Sequence, residues 1–119
     1  MVSMNHVRAL IAMAPGPHFC SDVEGQCTGS NDSLLEITGM TADEALGWGW
    51  ASAIHPDDRD ATMEAWKAQV ERGVAFRAEF RLVNVKTGAV QWTRAQASAL
   101  RDDDGTIIGY CGQLSLIHI

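Results

Sequence analysis

The chain has 119 residues, 46% of them hydrophobic and 20% charged, which is one globular domain with enough sequence for a core and too little for two. A net charge of −6, with nine Lys and Arg in all, excludes the basic surface that phosphate binding requires, so nucleic acid is not an expected partner. No apolar run approaches the ~18 residues of a membrane span and no basic-then-apolar leader is present, so direct membrane contact is not expected, although such a domain can be cut from an anchored parent.

Residues Met4 to Ala14 read as a short amphipathic helix with Val7, Leu10, Ile11 and Ala14 on one side, ended by Pro15-Gly16-Pro17. His18 to Val23 reads as a strand, Glu24-Gly25 as a turn, and Gln26 to Gly29 as the returning strand. Asn31 is a suitable N-cap for a helix carrying Leu34, Leu35 and Ile37 up to Gly39. Thr41-Ala42-Asp43-Glu44 has the spacing of a capping box, and its helix ends near Gly47. Trp48, Trp50 and Ile54 fall in an irregular, Gly-punctuated segment or a single helical turn.

His55-Pro56-Asp57-Asp58-Arg59 opens the longest helix, which ends near Gly73. Proline lacks an N–H and suits the first turn, and the acids complement the positive end of the helix dipole. Met63, Trp66 and Val70 form its apolar stripe. The period then changes from helical to alternating. In the strand from Ala75 to Val85, Phe76, Ala78, Phe80 and Leu82 alternate with Arg77, Glu79 and Arg81. Lys86-Thr87-Gly88 makes a hairpin turn. The strand from Ala89 to about Leu100 carries Thr93, Ala95, Ala97 and Ala99 on one face and Trp92 on the other. After Arg101-Asp102-Asp103-Asp104-Gly105, the last strand (Thr106 to about Leu116) places Ile108, Tyr110, Gly112 and Leu114 on one face.

The cysteines, Cys20, Cys27 and Cys111, form no C-x-x-C pair and their odd number leaves at least one unpaired. This fits a reducing, cytoplasmic setting with each read as a small buried hydrophobe. His6, His18, His55 and His118 are scattered without metal-ligand spacing, so no metal site is expected.

This order of elements resembles the PAS domain family, in the subgroup with His-Pro-Asp-Asp-Arg before the long helix. The resemblance covers about residues 8 to 114. It rests on Pro15-Gly16-Pro17, Asn31 to Gly39, the Thr41 helix start, His55 to Arg59, Phe76 to Leu82, Trp92, and Asp102-Asp103-Asp104-Gly105. It implies an α+β fold, a five-stranded antiparallel sheet of order 2-1-5-4-3 with helices packed on one face. Residues 1–17 are then an N-terminal helix and connection, and residues 18–119 the PAS domain with its PAC motif. It also implies a sensory or dimerisation module without catalytic activity, within a signalling protein of the histidine kinase (two-component) or diguanylate cyclase type. Family members often continue through an Asp-Ile-Thr step into an output helix; Ser115-Leu116-Ile117-His118-Ile119 departs from that, which puts coupling in doubt or marks a truncation.

Among light-sensing relatives, a cysteine–flavin adduct uses an Asn-Cys-Arg-Phe-Leu stretch; Gly47-Trp48-Gly49-Trp50-Ala51-Ser52 stands there instead, so that chemistry is rejected. Haem is disfavoured, because residues 57 to 72 contain no histidine and Met63 alone would be an unusual ligand. Flavin dinucleotide stays open as the runner-up, a redox sensor, since some relatives hold a tryptophan like Trp66 near their flavin; the preferred reading makes Trp66 core. Met63, Trp66, Phe80 and Tyr110 are the candidate pocket-lining residues for a flavin, small metabolite or fatty acid, and the small-residue face with Gly112 permits a cavity. As a third reading, His55, Asp57 and Asp58 could form the acid–base cluster of a small α+β-roll enzyme, although helix capping explains the same acids. A homodimer is expected through Val7, Leu10 and Ile11 against the Trp92 face; the plainer alternative folds this helix back on its own sheet.

Overall fold

The computed structural model describes residues 3–117. The elements are α1 (Met4–Met13), β1 (His18–Ser21), β2 (Cys27–Ser30), α2 (Asp32–Thr38), α3 (Ala42–Ala45), a 3-10 turn (Gly49–Ala53), α4 (Pro56–Arg72), β3 (Phe76–Val83), β4 (Val90–Arg101) and β5 (Ile107–Leu116). The strands form one antiparallel sheet of order β2-β1-β5-β4-β3, as the family resemblance implies. His118 and Ile119, part of the departing C-terminal stretch, lie outside the described residues.

Local chemistry sets the helix ends. Asn31 Oδ1 accepts from Leu34 N to cap α2, and Gly39 ends it at φ +71°, a left-handed conformation that glycine adopts without strain. Thr41 and Glu44 form the expected reciprocal capping box on α3. β3 is shorter than its alternation suggests. Asn84 Oδ1 accepts from Lys86 N and Thr87 N, so the turn starts at Asn84 rather than Lys86.

α2, α3 and α4 cover one sheet face. There Phe76, Phe80, Leu82, Ala95, Ala97, Tyr110 and Leu114 meet Leu34, Ile54 and Trp66 in the main core. One expected inward residue is displaced: Ile107, not Ile108, packs on this core. The β4–β5 register shifts between Leu100 and Arg101, and an extra residue in β5 reverses every side chain before it.

α1 lies on the opposite face. Val7 and Ile11 are buried with Cys20 and pack against Met4, Leu100 and Cys111 of the same chain. This corrects the expected dimer contact: a helix already seated on its own sheet cannot offer Val7 and Ile11 to a second copy, and of the three residues only Leu10, 67% exposed, remains available. Asn31 anchors this arrangement. Its Nδ2 donates to Ile11 O and Gly16 O while its Oδ1 accepts from His18 N, joining the end of α1 to β1 and α2.

Candidate functional site: an apolar cavity under the long helix

His55, Asp58 and Arg59 of the His55–Arg59 segment are committed to structural hydrogen bonds. His55 Nδ1 accepts from Asp57 N at 3.1 Å and caps α4, with Pro56 in the first turn. Asp58 turns away from the helix end. Its carboxylate accepts from Arg81 Nε (2.9 Å), Arg81 Nη2 (2.8 Å) and Arg81 N (2.9 Å), tying α4 to β3. These hydrogen bonds from Arg81 hold the Asp58 carboxyl at about 2, below its ordinary range. Arg59 donates to Ala51 O, Ser52 O and Ile54 O, closing the 3-10 turn. The imagined acid–base cluster is therefore divided: Asp58 is committed to Arg81, and Asp57 is 77% exposed with its Oδ2 4.0 Å from His55 Nδ1.

Trp66 projects from α4 into the centre of the main core, 3% exposed. Its indole makes edge-to-face contacts with Phe19, Trp50, Phe76 and Tyr110, with ring centroids 5.1 to 6.2 Å apart. Trp66 Nε1 donates to Gly25 O at 2.9 Å. Gly25 is required there: its φ is +91°, and a Cβ would stand 2.7 Å from that indole nitrogen.

Beside the indole lies a cavity of about 70 Å³ between α4, the 3-10 turn and the sheet. Trp66 and Phe80 line it, with Trp50, Ile54, Leu82 and Leu114; Ser21, Ser30, Thr38, Thr62 and Cys27 supply its few polar atoms. Met63 and Tyr110 are not among the lining residues. Met63 packs on the core half-buried, and the Tyr110 hydroxyl donates to Val70 O at 3.0 Å. Gly112 does not open the cavity either, because the Phe19 ring fills its space; a Cβ at Gly112 would meet Phe19 Cζ at 2.6 Å. Ala95 is the small strand residue that does line it. The hydroxyl-bearing wall was missed from sequence because Ser21 read as a strand residue, Ser30 fell between the returning strand and the Asn31 cap, and Thr62, one turn before Trp66 on the same face, is polar and was not counted in the apolar stripe.

The residues present do not fit a flavin or a haem. Cofactor pockets enclose roughly 300–1,000 Å³, and here the Trp66 indole and its aromatic neighbours take up that volume and leave about 70 Å³. Among the described residues no three metal-binding side chains converge, and no helix is long and apolar enough to cross a membrane.

Comparison with known proteins agrees with this architecture. The chain is 34% identical over 116 residues to the uncharacterized protein y4lL of Sinorhizobium fredii, covering 92% of this chain and 13% of that protein. It is 35% identical over 104 residues to the sensor protein FixL of Bradyrhizobium diazoefficiens, covering 76% of this chain and 20% of FixL. The chain thus spans a fifth or less of the curated relatives it matches. Similar solved structures include the Rhodobacter sphaeroides LOV protein (TM-score 0.81, 13% identity, 97% of this chain and 67% of that one). The N-terminal domain of a Marinobacter aquaeolei diguanylate cyclase with a PAS/PAC sensor superposes at TM-score 0.73 with 20% identity, over 84% of this chain and 93% of that one. The family profile for the PAS fold matches residues 28–113. With this sheet order and these helices on its inner face, the chain belongs to the PAS-fold family.

Proposed function

We propose that this PAS domain is the sensory module of a longer signalling protein and responds to a small, mainly apolar molecule held beside Trp66. The cavity of about 70 Å³ carries this reading: it is apolar, adjoins the helix α4 that is tied to β3, and is edged by hydroxyls able to orient one polar atom. The likeness to FixL and to a diguanylate cyclase sensor supports an output of the histidine kinase or cyclase type. A flavin does not fit this volume, which sets the redox-sensor reading behind this one. A titration of ¹⁵N-labelled protein with apolar probes small enough for this volume, such as xenon or propane, tests the proposal. Saturable shifts confined to the Trp66, Phe80 and Thr62 surroundings, with a raised Tm, are expected. Absence of any saturable shift at millimolar probe overturns it, and a flavin or haem absorption band in purified protein overturns it in favour of a cofactor.

Self-association is a second mode of action, favoured by Leu10 and Met13, which lie 67% and 84% exposed on α1. Two copies would meet through these residues and the Trp92 side of the sheet. Trp92 is itself half-covered by the Arg81 guanidinium, 5.2 Å from its ring centroid. A monomer at a hundred micromolar in light scattering would remove this mode.

A further inference from the structure

Cys20 and Cys111 face each other across β1 and β5. Leu114 N donates to Pro17 O at 3.0 Å, which makes Pro17–Leu114 a hydrogen-bonded rung of this antiparallel ladder. Rungs alternate, so Phe19–Gly112 is the next bonded pair and Cys20–Cys111 is a non-bonded pair. Non-bonded partners stand roughly 4.5 Å apart at Cα, and disulfides accept separations of roughly 4.4–6.8 Å. Both side chains point to the outer face, where Val7 and Ile11 of α1 cover them. Cys20 is fully buried and Cys111 half-buried, so Cys111 is the more accessible of the two. Cys27 lines the cavity on the other face of the sheet.

We infer that Cys20 and Cys111 form a reversible cross-strand disulfide, a redox-sensitive clasp between β1 and β5 beneath α1. In the reduced protein Cys20 Sγ lies 3.4 Å from Thr28 Oγ1, so closure requires that side chain to turn from β2 toward β5. With a peroxide as oxidant, the Cys111 thiolate attacks one oxygen; the O–O bond breaks, the thiolate becomes a sulfenic acid and hydroxide leaves. The Cys20 thiolate then attacks the Cys111 sulfur; the S–O bond breaks, the S–S bond forms and hydroxide departs, taking up the thiol proton as water. Overall, two thiols and one hydrogen peroxide give one disulfide and two waters. Burial pushes both thiols above their ordinary range, which makes the first step slow.

Hydrogen peroxide treatment followed by non-reducing peptide mapping tests this on protein that keeps its native near-UV circular dichroism. Trypsin leaves Cys20 and Cys27 together in residues 9–59 and Cys111 in residues 102–119, and a second cut at Glu24 separates the first two. The expected product is an intrachain Cys20–Cys111 link, with the loss of two hydrogens, reversed by dithiothreitol and retained in Cys27→Ser. A link through Cys27, a link between two copies, sulfinic acid at Cys111 without a link, or thiols that stay unmodified overturns the proposal. Because the deciding map is read on the unsubstituted protein, the proposal stands or falls without the Cys27→Ser variant.

Discussion

Asp58 on the first turn of α4 and Arg81 on β3 form a two-pronged ion pair, Nε at 2.9 Å and Nη2 at 2.8 Å, with Arg81 N adding a third bond to the same carboxylate. Adjacent to it, His55 N donates to Arg81 O, and Ile54 bridges Leu82. The entry to the long helix is thereby fixed to the strand that carries Phe80, one wall of the cavity. A charge-assisted two-pronged bond of this kind is stronger and more directional than a surface pair.

The two neighbouring acids should therefore behave differently. Asp58→Asn removes the counter-charge of the partly exposed Arg81 guanidinium and should cost about 1–2 kcal/mol. Asp57→Asn removes only a dipole contribution, about 0.3–1 kcal/mol. Urea unfolding of both variants checks this, and equal losses would mean that Asp58 acts only as a helix-end charge.

The same pair predicts an acid limb of stability. The Asp58 pKa is depressed in the folded state to about 2, so its stabilisation is fully present above the unfolded value near ~3.9 and is lost as pH falls through about 2. With partial solvent screening this amounts to about 1–2 kcal/mol. Stability measured from pH 5 to pH 2 should fall less steeply in Asp58→Asn than in the unsubstituted protein; identical slopes would contradict the assignment.

Trp66 combines packing with one hydrogen bond, and two substitutions separate them. Trp66→Ala should cost about 3–5 kcal/mol through the cavity it opens. Trp66→Phe keeps most of the ring but strips Gly25 O of its donor, which should cost about 1–3 kcal/mol. A loss below about 1 kcal/mol for the alanine variant, by thermal or denaturant unfolding, would place Trp66 outside the core.

On α1, Leu10→Glu and Ile11→Glu sample opposite faces. Leu10 is 67% and Ile11 5% exposed. Leu10→Glu should change stability by no more than about 0.5 kcal/mol and shift any dimer toward monomer, whereas Ile11→Glu puts a charge under the helix and should cost several kcal/mol. Equal stability of the two variants would show that α1 does not rest on its own sheet.

Caps, turns and periodicities are local properties, and they were legible. Asn31 capping α2, the Thr41–Glu44 box, Gly73 ending α4 and the inward set Phe76, Phe80 and Leu82 all follow from spacing that a few neighbouring residues enforce. The sheet order came from the ordered set of such signals, taken together as a family resemblance. What the linear chain did not contain was the choice among partners far apart in sequence. That Asp58 would find Arg81 rather than serve its own helix end depends on β3 being folded back beside α4. That Phe19 would fill the space over Gly112, leaving the cavity beside Ala95 instead, depends on how two strands and a helix share one volume. The seat of Val7 and Ile11 was decided in the same way. An amphipathic stripe specifies that an apolar face must be covered, but only the tertiary structure determines what covers it, because burial is non-directional and is satisfied by whichever apolar surface the fold brings within reach.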